Sequence, residues 1–439
     1  AAYAGGSLGM GVWVTVPGLL LLYFLTDVLA VPAFLAGLTL LLPKVVDIVV
    51  HPFLGSRSDR EAVRFGHRRR MMRSGVLLGA AMVAMFSVPS ALTGGPAALW
   101  VGCWFVVGNL LFARFQVPYL TTASDLLVGY HERTRVFMFR MLCLTVGLLC
   151  AGVAAPALTA AGGRDDYTRM ALLLATVMAV TSVVALSGVR RLTEGCGVRA
   201  PDGAGGHSTL ADLRLAWRDR DYRALVLSYL FTGTTTHLFL AALPYFTEYV
   251  FEDSGLTALL MGLFLAPALF AGPLWTAWSR RFGKQRGLLL SQAAFAAGSL
   301  ALLLGALLGG VPGIAVTAVV VVVMGVSFAG LQLFAFSMVP DVVAAAEAGG
   351  SAKAGGSAKA GAYTGLWTAT EATGTAVGPY VYSAVLALGG FVSSTAGEHV
   401  AQPGSAMTAL LVGFTAVPAA LMAAALWFQR RYTLDRRPA

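Results

Sequence analysis

The chain has 439 residues, of which 57% are hydrophobic and 12% are charged, and its formal net charge is +10 at pH 7. So large an apolar fraction excludes an ordinary soluble domain and is typical of a membrane protein. The basic excess does not indicate a nucleic-acid partner, because the arginines and lysines fall mainly in loops between apolar runs.

Apolar runs recur along the whole chain, and each is long enough to cross a bilayer core of about 30 Å as a helix. We predict an all-α membrane protein with twelve such helices, over residues 8–30, 34–54, 74–93, 97–121, 137–160, 169–188, 223–250, 258–278, 287–308, 312–339, 362–387 and 405–428. The first run is too long for a signal peptide and lacks a cleavage site, so we expect it to remain as a helix.

A polar segment in the middle of the chain divides these runs six and six. We assign residues 1–189 to an N-terminal half, 190–222 to a cytoplasmic linker and 223–439 to a C-terminal half. An internal repeat supports the division: "HPFLGSRSDR" follows the second run, "GPLWTAWSRR" follows the eighth, and proline, serine and arginine recur in register. Two six-helix halves related in this way are typical of transporters whose substrate binds near the midplane between the halves.

The basic residues are distributed unequally between the two sides of the membrane. If both termini are cytoplasmic, nearly all loop arginines and lysines lie on that side, and only Arg164 and Arg169 lie opposite. This positive-inside pattern predicts a multi-pass protein of the inner (cytoplasmic) membrane with both termini in the cytoplasm. The repeated cytoplasmic loops also supply candidate gating residues, Asp59, Arg60, Arg280 and Arg281, although the positive-inside rule alone also accounts for the arginines.

Three ionisable residues, Lys44, Asp47 and His51, lie within the second run. Their spacing of three and seven places them on one face of a helix, and that face must avoid lipid. Lys44 and Asp47 can pair, and His51 titrates near neutral pH. We therefore predict a role in ion coupling or gating. The alternatives are a structural helix–helix pair for Asp47 and a hydrogen-bonded histidine at a helix end for His51. Asp27, at the outer end of the first run, is expected to be solvated.

Other polar residues interrupt later runs, namely Gln116, Arg140, His237, Gln332 and Glu371. Aligning "FRMLCLTVG" on "TEATGTAVG" superposes Arg140 on Glu371, so the repeat places opposite charges at equivalent depths. Arg140 is a candidate contact for an anionic substrate, and structural ion pairs are the alternative for both residues. His237 either lines a cavity or is a satisfied core histidine.

No catalytic constellation is recognised. The chain has no Walker-type glycine loop, no metal-ligand cluster and no Ser/His/Asp set with supporting context. Its four cysteines lack metal-ligand spacing. We therefore predict a protein that is not an enzyme, holds no cofactor or metal, and draws on an ion gradient.

Three stretches resemble the major facilitator superfamily and, within it, the glycoside–pentoside–hexuronide cation symporters. They are "YFLTDVLAVPAFLAGLTLLLPKVVDIVVHPFLGSRSD", "FQVPYLTTASDL" and "MVPDVV" with "GAYTGLWTATEATGTAVGP". The resemblance implies a twelve-helix fold in two pseudo-symmetric halves. It also implies a cation site in the second helix, where Asp47 matches the first family carboxylate and His51 replaces the second. The family's assisting threonine falls at Ala113, and its eleventh-helix lysine falls at Glu371. Because sodium prefers oxygen ligands, the resemblance favours a proton as the coupling ion.

The resemblance also implies a changed substrate site. The family's sugar-binding Lys-Asp pair falls at Met10 and Gly11, and its fourth-helix aspartate falls at Gln116. Arg140 matches the family's fifth-helix arginine, and Trp367 can offer a stacking face. A less polar or anionic substrate is therefore expected, such as an amphipathic acid, a lysolipid or a glycoside with an apolar aglycone.

We thus predict a monomeric secondary transporter that carries a small molecule together with a proton by alternating access, with the lipid bilayer as its surroundings and no nucleic-acid partner. The predicted proton-handling set is Asp47, His51 and Glu371, with Lys44 as counter-charge. The predicted substrate contacts are Gln116, Arg140, His237, Gln332 and Trp367. The alternatives are a proton-driven exporter of drugs or lipids, a lysolipid carrier, and a non-transporting receptor or assembly factor.

Overall fold

A computed structural model describes residues 2–65, 67–125, 130–196, 217–348, 356–396 and 400–434. These ranges contain no β-strand, only an isolated antiparallel bridge between Leu29 and Thr395, so the all-α prediction is confirmed. The helices are α1 (Gly6–Tyr23, continued by the π-helical turn Phe24–Val28), α2 (Ala33–Phe65), α3 (Arg69–Met72), α4 (Gly75–Phe86), α5 (Gly94–Asp125), α6 (Tyr130–Thr159), α7 (Arg164–Cys196), α8 (Arg220–Phe251), α9 (Leu256–Phe270), α10 (Gly272–Phe282), α11 (Lys284–Leu308), α12 (Gly310–Ala348), α13 (Gly356–Leu388), α14 (Gly404–Phe414) and α15 (Ala416–Gln429). Residues 197–216 of the predicted linker lie outside the described ranges.

Most of these helices are suited to a bilayer. Eight spans are long and apolar enough: α1 with its π turn, α5, α6, α7, α8, α11, α12 and α14 with α15. α9 and α10, bent by 51°, make a ninth if they form one span. The remaining predicted spans coincide with α2, α4 and α13. α2 carries several charges, and α4 has only 12 residues. The first half of α13 is rich in glycine, serine and threonine. The chain is a multi-pass membrane protein, and the total of twelve spans stays a prediction.

The first compact unit comprises Ala1–Ala204, Ser254–Ala258 and Gly390–Pro403. Within it α1 packs on α6, α2 on α5, and α4 on α7. Glycines allow the closest of these contacts. A Cβ atom added to Gly11 would lie 2.8 Å from the backbone nitrogen of Leu148, and one added to Gly147 would lie 2.5 Å from the carbonyl oxygen of Leu8. α1 and α6 therefore meet backbone to backbone, as small residues permit between membrane helices.

The second compact unit comprises Gly205–Asp253, Leu259–Gly389 and Gly404–Ala439. Here α8 packs on α13, and α11 packs on α12 and α15. Gly378 brings α13 close to α8, since a Cβ atom there would lie 2.6 Å from the Thr234 carbonyl oxygen. The two units repeat the same pairing if α3–α4, α9–α10 and α14–α15 each count as one span. The first span packs on the fifth: α1 on α6, and α8 on α13. The third packs on the sixth: α4 on α7, and α11 on α15. This recurrence is what an internal repeat leads us to expect; the boundaries at 189 and 223 stay predictions.

The prediction that Asp27 is solvated is wrong, because only 8% of this residue is exposed. It lies in the π-helical turn after α1, where Thr26 Oγ1 donates to Asp27 Oδ2 at 2.5 Å. Ser394 covers the turn: its amide donates to the Thr26 carbonyl at 2.9 Å, and its hydroxyl donates to the Asp27 carbonyl at 3.3 Å. The covering segment comes from far along the chain, so the local hydropathy around Asp27 does not reveal it.

The residues that follow α15 are held within the second unit by hydrogen bonds. The Gln285 side-chain amide donates to the carbonyl oxygens of Gln429, at 3.1 Å, and Tyr432, at 2.7 Å. Thr433 donates its amide to Asp221 Oδ1 at 2.6 Å and its hydroxyl to the same oxygen at 3.0 Å. The beginnings of α8 and α11 are thus held to the residues that follow α15.

Candidate functional site

The first unit holds a buried charged cluster between α2 and α5. Lys44 Nζ donates to Asn109 Oδ1 at 3.3 Å and lies 5.7 Å from the centroid of the Phe105 ring. Asn109 is 1% exposed and Asp47 is 7% exposed, so both polar groups are withdrawn from lipid and water. The hydrogen bond of Lys44 goes to the Asn109 amide, whereas Asp47 lies near enough to attract the ammonium group electrostatically.

Not every predicted residue of this unit can be placed. The side chains of His51 and Asp59 lie outside the described part of the structure. Arg60 is exposed, and Gln116 is half-buried on α5. The structure therefore brings Lys44 and Asp47 together, while the contribution of His51 to this cluster stays a prediction.

Arg140 lies half-buried on α6, with its guanidinium carbon 5.2 Å from the centroid of the Phe137 ring. Its Nε atom is buried and has no hydrogen-bond partner among the described residues. Arg140 also acts electrostatically on Tyr3 and Tyr119, whose hydroxyls donate to each other's backbone carbonyls at 2.7 and 2.8 Å. An unused donor on a cation suits recognition of an anionic group.

The start of α1 is too closely packed on α6 to hold a long side chain at position 11. Met10 is 6% exposed, and Gly11 faces the α6 backbone so closely that a Cβ atom would lie 2.9 Å from the Leu144 carbonyl oxygen. An aspartate at position 11 would not fit this packing. The expected difference in substrate recognition stays a prediction.

The second unit holds an aromatic and polar cluster on α8, α12 and α13. Tyr229 and Trp367 are 6% and 4% exposed, and their rings stack with centroids 4.2 Å apart. Phe336 packs edge-on against Trp367 at 5.6 Å, and the Tyr229 hydroxyl donates to Gln332 Oε1 at 3.4 Å. The indole nitrogen of Trp367 is buried and has no hydrogen-bond partner in the described ranges. Two predicted substrate residues, Gln332 and Trp367, thus meet through Tyr229, which the sequence analysis missed.

Glu371 follows Trp367 by one helical turn on α13 and is half-buried. Its carboxylate has no ion pair or hydrogen bond with any residue the structure describes, although it interacts electrostatically with Tyr229. A carboxylate within an apolar bundle is costly unless it is paired or protonated. Glu371 is therefore chemically suited to binding and releasing a proton.

His237 of α8 is held at both ring nitrogens. Its Nδ1 lies 2.9 Å from the Gly233 carbonyl oxygen, and its Nε2 lies 3.3 Å from Thr375 Oγ1. Thr375 in turn donates to the Glu371 carbonyl oxygen at 3.0 Å. His237 thus belongs to the same α8–α13 contact as Trp367 and Glu371, and both of its ring nitrogens already have partners there.

The loops that were predicted to be cytoplasmic contain ion pairs that do not involve the candidate gating residues Arg280 and Arg281, among the residues the structure describes. Arg280 and Arg281 are exposed, whereas the next residue in the loop with a charge, Lys284, pairs with Asp341 at 2.5 Å. Asp341 belongs to the "MVPDVV" stretch at the end of the tenth apolar run, so the sequence already marked this acid.

In the first unit Glu61 Oε1 accepts the amides of Arg70, at 2.7 Å, and Met71, at 3.2 Å, so it caps α3. Glu194 pairs with both Arg69 and Arg190. Burial, together with the positive charge of Arg69, lowers the pKa of His67 in this loop, which therefore adds no charge at neutral pH.

No group of three or more His, Cys, Asp or Glu residues capable of holding a metal occurs within the described residues. Cys103, Cys143 and Cys150 are free thiols.

The family model for MFS/sugar transport proteins matches residues 2–436. The chain belongs to this family. The resemblance to the major facilitator superfamily and its glycoside–cation symporters is thereby confirmed, and family membership identifies a membrane transporter family rather than an enzyme family.

Curated relatives are similar over part of their length. The chain is 30% identical over 191 residues to an uncharacterized symporter of Synechocystis sp., covering 42% of this chain and 35% of the relative. It is 27% identical over 345 residues to the sphingosine-1-phosphate transporter MFSD2B of Mus musculus, covering 73% of this chain and 67% of the relative. It is 25% identical to the isoprimeverose transporter of Lactiplantibacillus pentosus, covering 37% of this chain and 35% of the relative.

Solved structures agree in fold. The nucleoside transporter NupG superposes with a TM-score of 0.63 at 13% identity, covering 98% of this chain and 97% of that chain. A bacterial homologue of the human lysosomal transporter Spinster superposes with a TM-score of 0.66 at 13% identity, covering 99% of this chain and 95% of that chain. The predicted fold class is that of major facilitator transporters.

Proposed function

We propose that this protein is a secondary active transporter that couples the movement of a small organic solute to a proton by alternating access. The observation that carries the proposal is Glu371, a carboxylate without a described cation partner, one turn from the buried Trp367 indole. A protonatable acid beside a substrate-sized aromatic surface links proton binding to solute binding. Relatives named as symporters support coupled transport of this kind.

In the proposed mechanism the protein's own acids carry the proton. Asp47, His51 and Glu371 form the proton-handling set, and Lys44 offsets the negative charge when the acids are ionised. Lys44 is suited to this role because the neutral Asn109 amide, and not a permanent ion pair, holds its ammonium group. Asp59, Arg60, Arg280 and Arg281 are proposed to gate the cytoplasmic side.

Substrate recognition is assigned to Gln116, Arg140, His237, Gln332 and Trp367. The tight packing of Gly11 and the aromatic cluster around Trp367 favour a substrate with an apolar part and a single polar or anionic group. A glycoside with an apolar aglycone and an amphipathic acid both meet this description.

A lysolipid is the second candidate substrate class. The longest match among the curated relatives described above, 345 residues, is to a mouse sphingosine-1-phosphate transporter, and that substrate combines an anionic head with an apolar chain. Arg140, with its unpartnered Nε, suits such a head group.

We further propose that the protein acts as a monomer in the inner (cytoplasmic) membrane, with both termini in the cytoplasm. The loop arginines support this orientation. Its partners are then the solute, the coupling proton and the surrounding lipid.

The test is reconstitution in liposomes that contain a pH-sensitive dye. Glycosides, organic acids and lysolipids are added separately, with and without sodium. An inward proton flux that requires a solute and proceeds without sodium supports proton symport and identifies the solute class. Uptake that requires sodium and moves no proton contradicts the proton-handling set. Outward solute movement driven by an inward proton gradient indicates an exporter, and binding without flux indicates a receptor.

A further inference from the structure

A groove opens at the cytoplasmic end of the second unit, between the start of α8 and the end of α15. Its lining consists of Arg220, Arg223, Ala224, Leu227, Phe428 and Arg431. Arginine side chains thus surround a small apolar surface. No other part of the proposed mechanism uses these residues.

The acids beside this groove are engaged elsewhere. Asp219 caps α8 by accepting the amides of Asp221, at 3.0 Å, and Tyr222, at 3.1 Å. Asp221 is buried and accepts from Thr433. Among the described residues the groove arginines form no ion pair, so their charge is available to an external anion.

The groove also carries the markers of a membrane interface. Trp427 is 52% exposed, and the guanidinium carbon of Arg431 lies 3.6 Å from its ring centroid. Tryptophan is enriched at the level of the lipid head groups, where its apolar ring and polar N–H face different surroundings. On the deeper side, Phe428 stacks on Phe231 at 5.7 Å.

We propose that this groove binds the phosphate of an anionic phospholipid in the cytoplasmic leaflet. The guanidinium groups of Arg220, Arg223 and Arg431 contact the phosphate oxygens, for which arginine geometry is well suited. Leu227 and Phe428 contact the start of an acyl chain. Basic pockets between membrane helices on the cytoplasmic side bind anionic head groups by this chemistry. The proposal does not depend on which solute is transported.

The test measures binding of a fluorescent short-chain phosphatidylglycerol to the purified full-length protein in neutral detergent. Arg223→Gln with Arg431→Gln removes two charges from the groove. Arg286→Gln with Arg430→Gln is the matched control, because these exposed arginines also carry two charges on the same side but do not line the groove. We expect the groove variant to bind at least about tenfold more weakly and the control to change less than about twofold.

Competition separates the possible sources of phosphate. Unlabelled phosphatidylglycerol should displace the probe, whereas phosphatidylcholine and inorganic phosphate at the same concentration should not. Equal weakening in both double variants, or equal displacement by all three competitors, overturns the proposal. Arg223→Lys with Arg431→Lys keeps the charge but not the guanidinium geometry and should bind more strongly than the glutamine variant; binding no stronger than that of the glutamine variant, with an unchanged size-exclusion profile, counts against recognition of the phosphate charge.

Discussion

Tyr229 of α8 stacks on Trp367 of α13, with the ring planes inclined by 21° and the centroids 4.2 Å apart. The stack leaves the Trp367 indole N–H buried and without a described acceptor. A buried donor without a partner costs about 1–3 kcal/mol, so a ligand that supplies an acceptor recovers that free energy on binding. The stack and the unused donor together make Trp367 the most informative substrate residue to change.

Trp367→Phe should keep the stack and lose the donor. We expect KM for the transported solute to rise about fivefold, which corresponds to roughly 1 kcal/mol for one hydrogen bond. Trp367→Ala should lose the stack as well and lower uptake at least about tenfold. Initial uptake rates into proteoliposomes measure both. Trp104→Phe on α5 is the control, and an unchanged KM in Trp367→Phe would argue against the indole as a donor.

Glu371→Gln replaces the acid with a neutral side chain of nearly the same shape. Uptake driven by a pH gradient should fall to background, because the side chain no longer carries a proton. Exchange of labelled for unlabelled solute at equal pH should persist, since it requires no net proton movement. Asp47→Asn should behave in the same way, and Glu252→Gln, an exposed acid, serves as the control. Wild-type pH dependence in both Glu371→Gln and Asp47→Asn would exclude these acids from the coupling step.

Thr375→Val removes the hydroxyl that contacts His237 Nε2 while keeping the shape of the side chain. We expect a threefold to tenfold loss of uptake (about 1 kcal/mol), because the imidazole loses a fixed partner. Thr373→Val is the matched control: its hydroxyl only donates back to the Ala369 carbonyl at 2.7 Å. Equal effects of the two substitutions would show that the loss of any α13 hydroxyl, rather than the His237 contact, is responsible.

Gly11→Ala should destabilise the first unit, since the added Cβ atom would lie 2.8 Å from the Leu148 nitrogen. Overpacking of this kind costs about 1–3 kcal/mol. Gly18→Ala in the same helix has no atom within 4 Å of the new Cβ and should be neutral or stabilising by up to roughly 1 kcal/mol. Thermal unfolding in detergent compares the two variants. Equal melting temperatures would contradict backbone contact between α1 and α6.

Most of the helical architecture was predictable because long apolar runs are visible in the local hydropathy. Charged residues within a helix and a short helix both weaken this hydropathy signal. α2 contains Lys44 and Asp47, and α4 has only 12 residues. Neither is both long and apolar enough to be recognised as a membrane span, whereas α1 and α12 are. The pairing of spans within each unit follows the repeat that the proline, serine and arginine positions indicate.

The residue types of the candidate site could be predicted from the sequence, but their hydrogen-bonding partners could not. An acid, a lysine and a tryptophan inside apolar runs are conspicuous in any sequence. Their contacts depend on packing between helices: Lys44 meets Asn109 across 65 positions, and Tyr229 meets Gln332 across 103 positions. Tyr229 was missed because a tyrosine in an apolar run looks like an ordinary core residue. The burial of Asp27 was missed because its cover arrives from residues near 394.

Thr433 meets Asp221 across 212 positions of the chain. The rest of α8 and all of α9 to α15 lie between these two residues in the sequence, so Thr433 can reach the buried Asp221 only after every one of these helices has been synthesised. Closing so long a loop is slow in comparison with local helix formation. The second unit therefore forms this contact only after α15 has been synthesised, and a stop codon a few residues before Thr433 would release a chain without the contact between the residues after α15 and the start of α8.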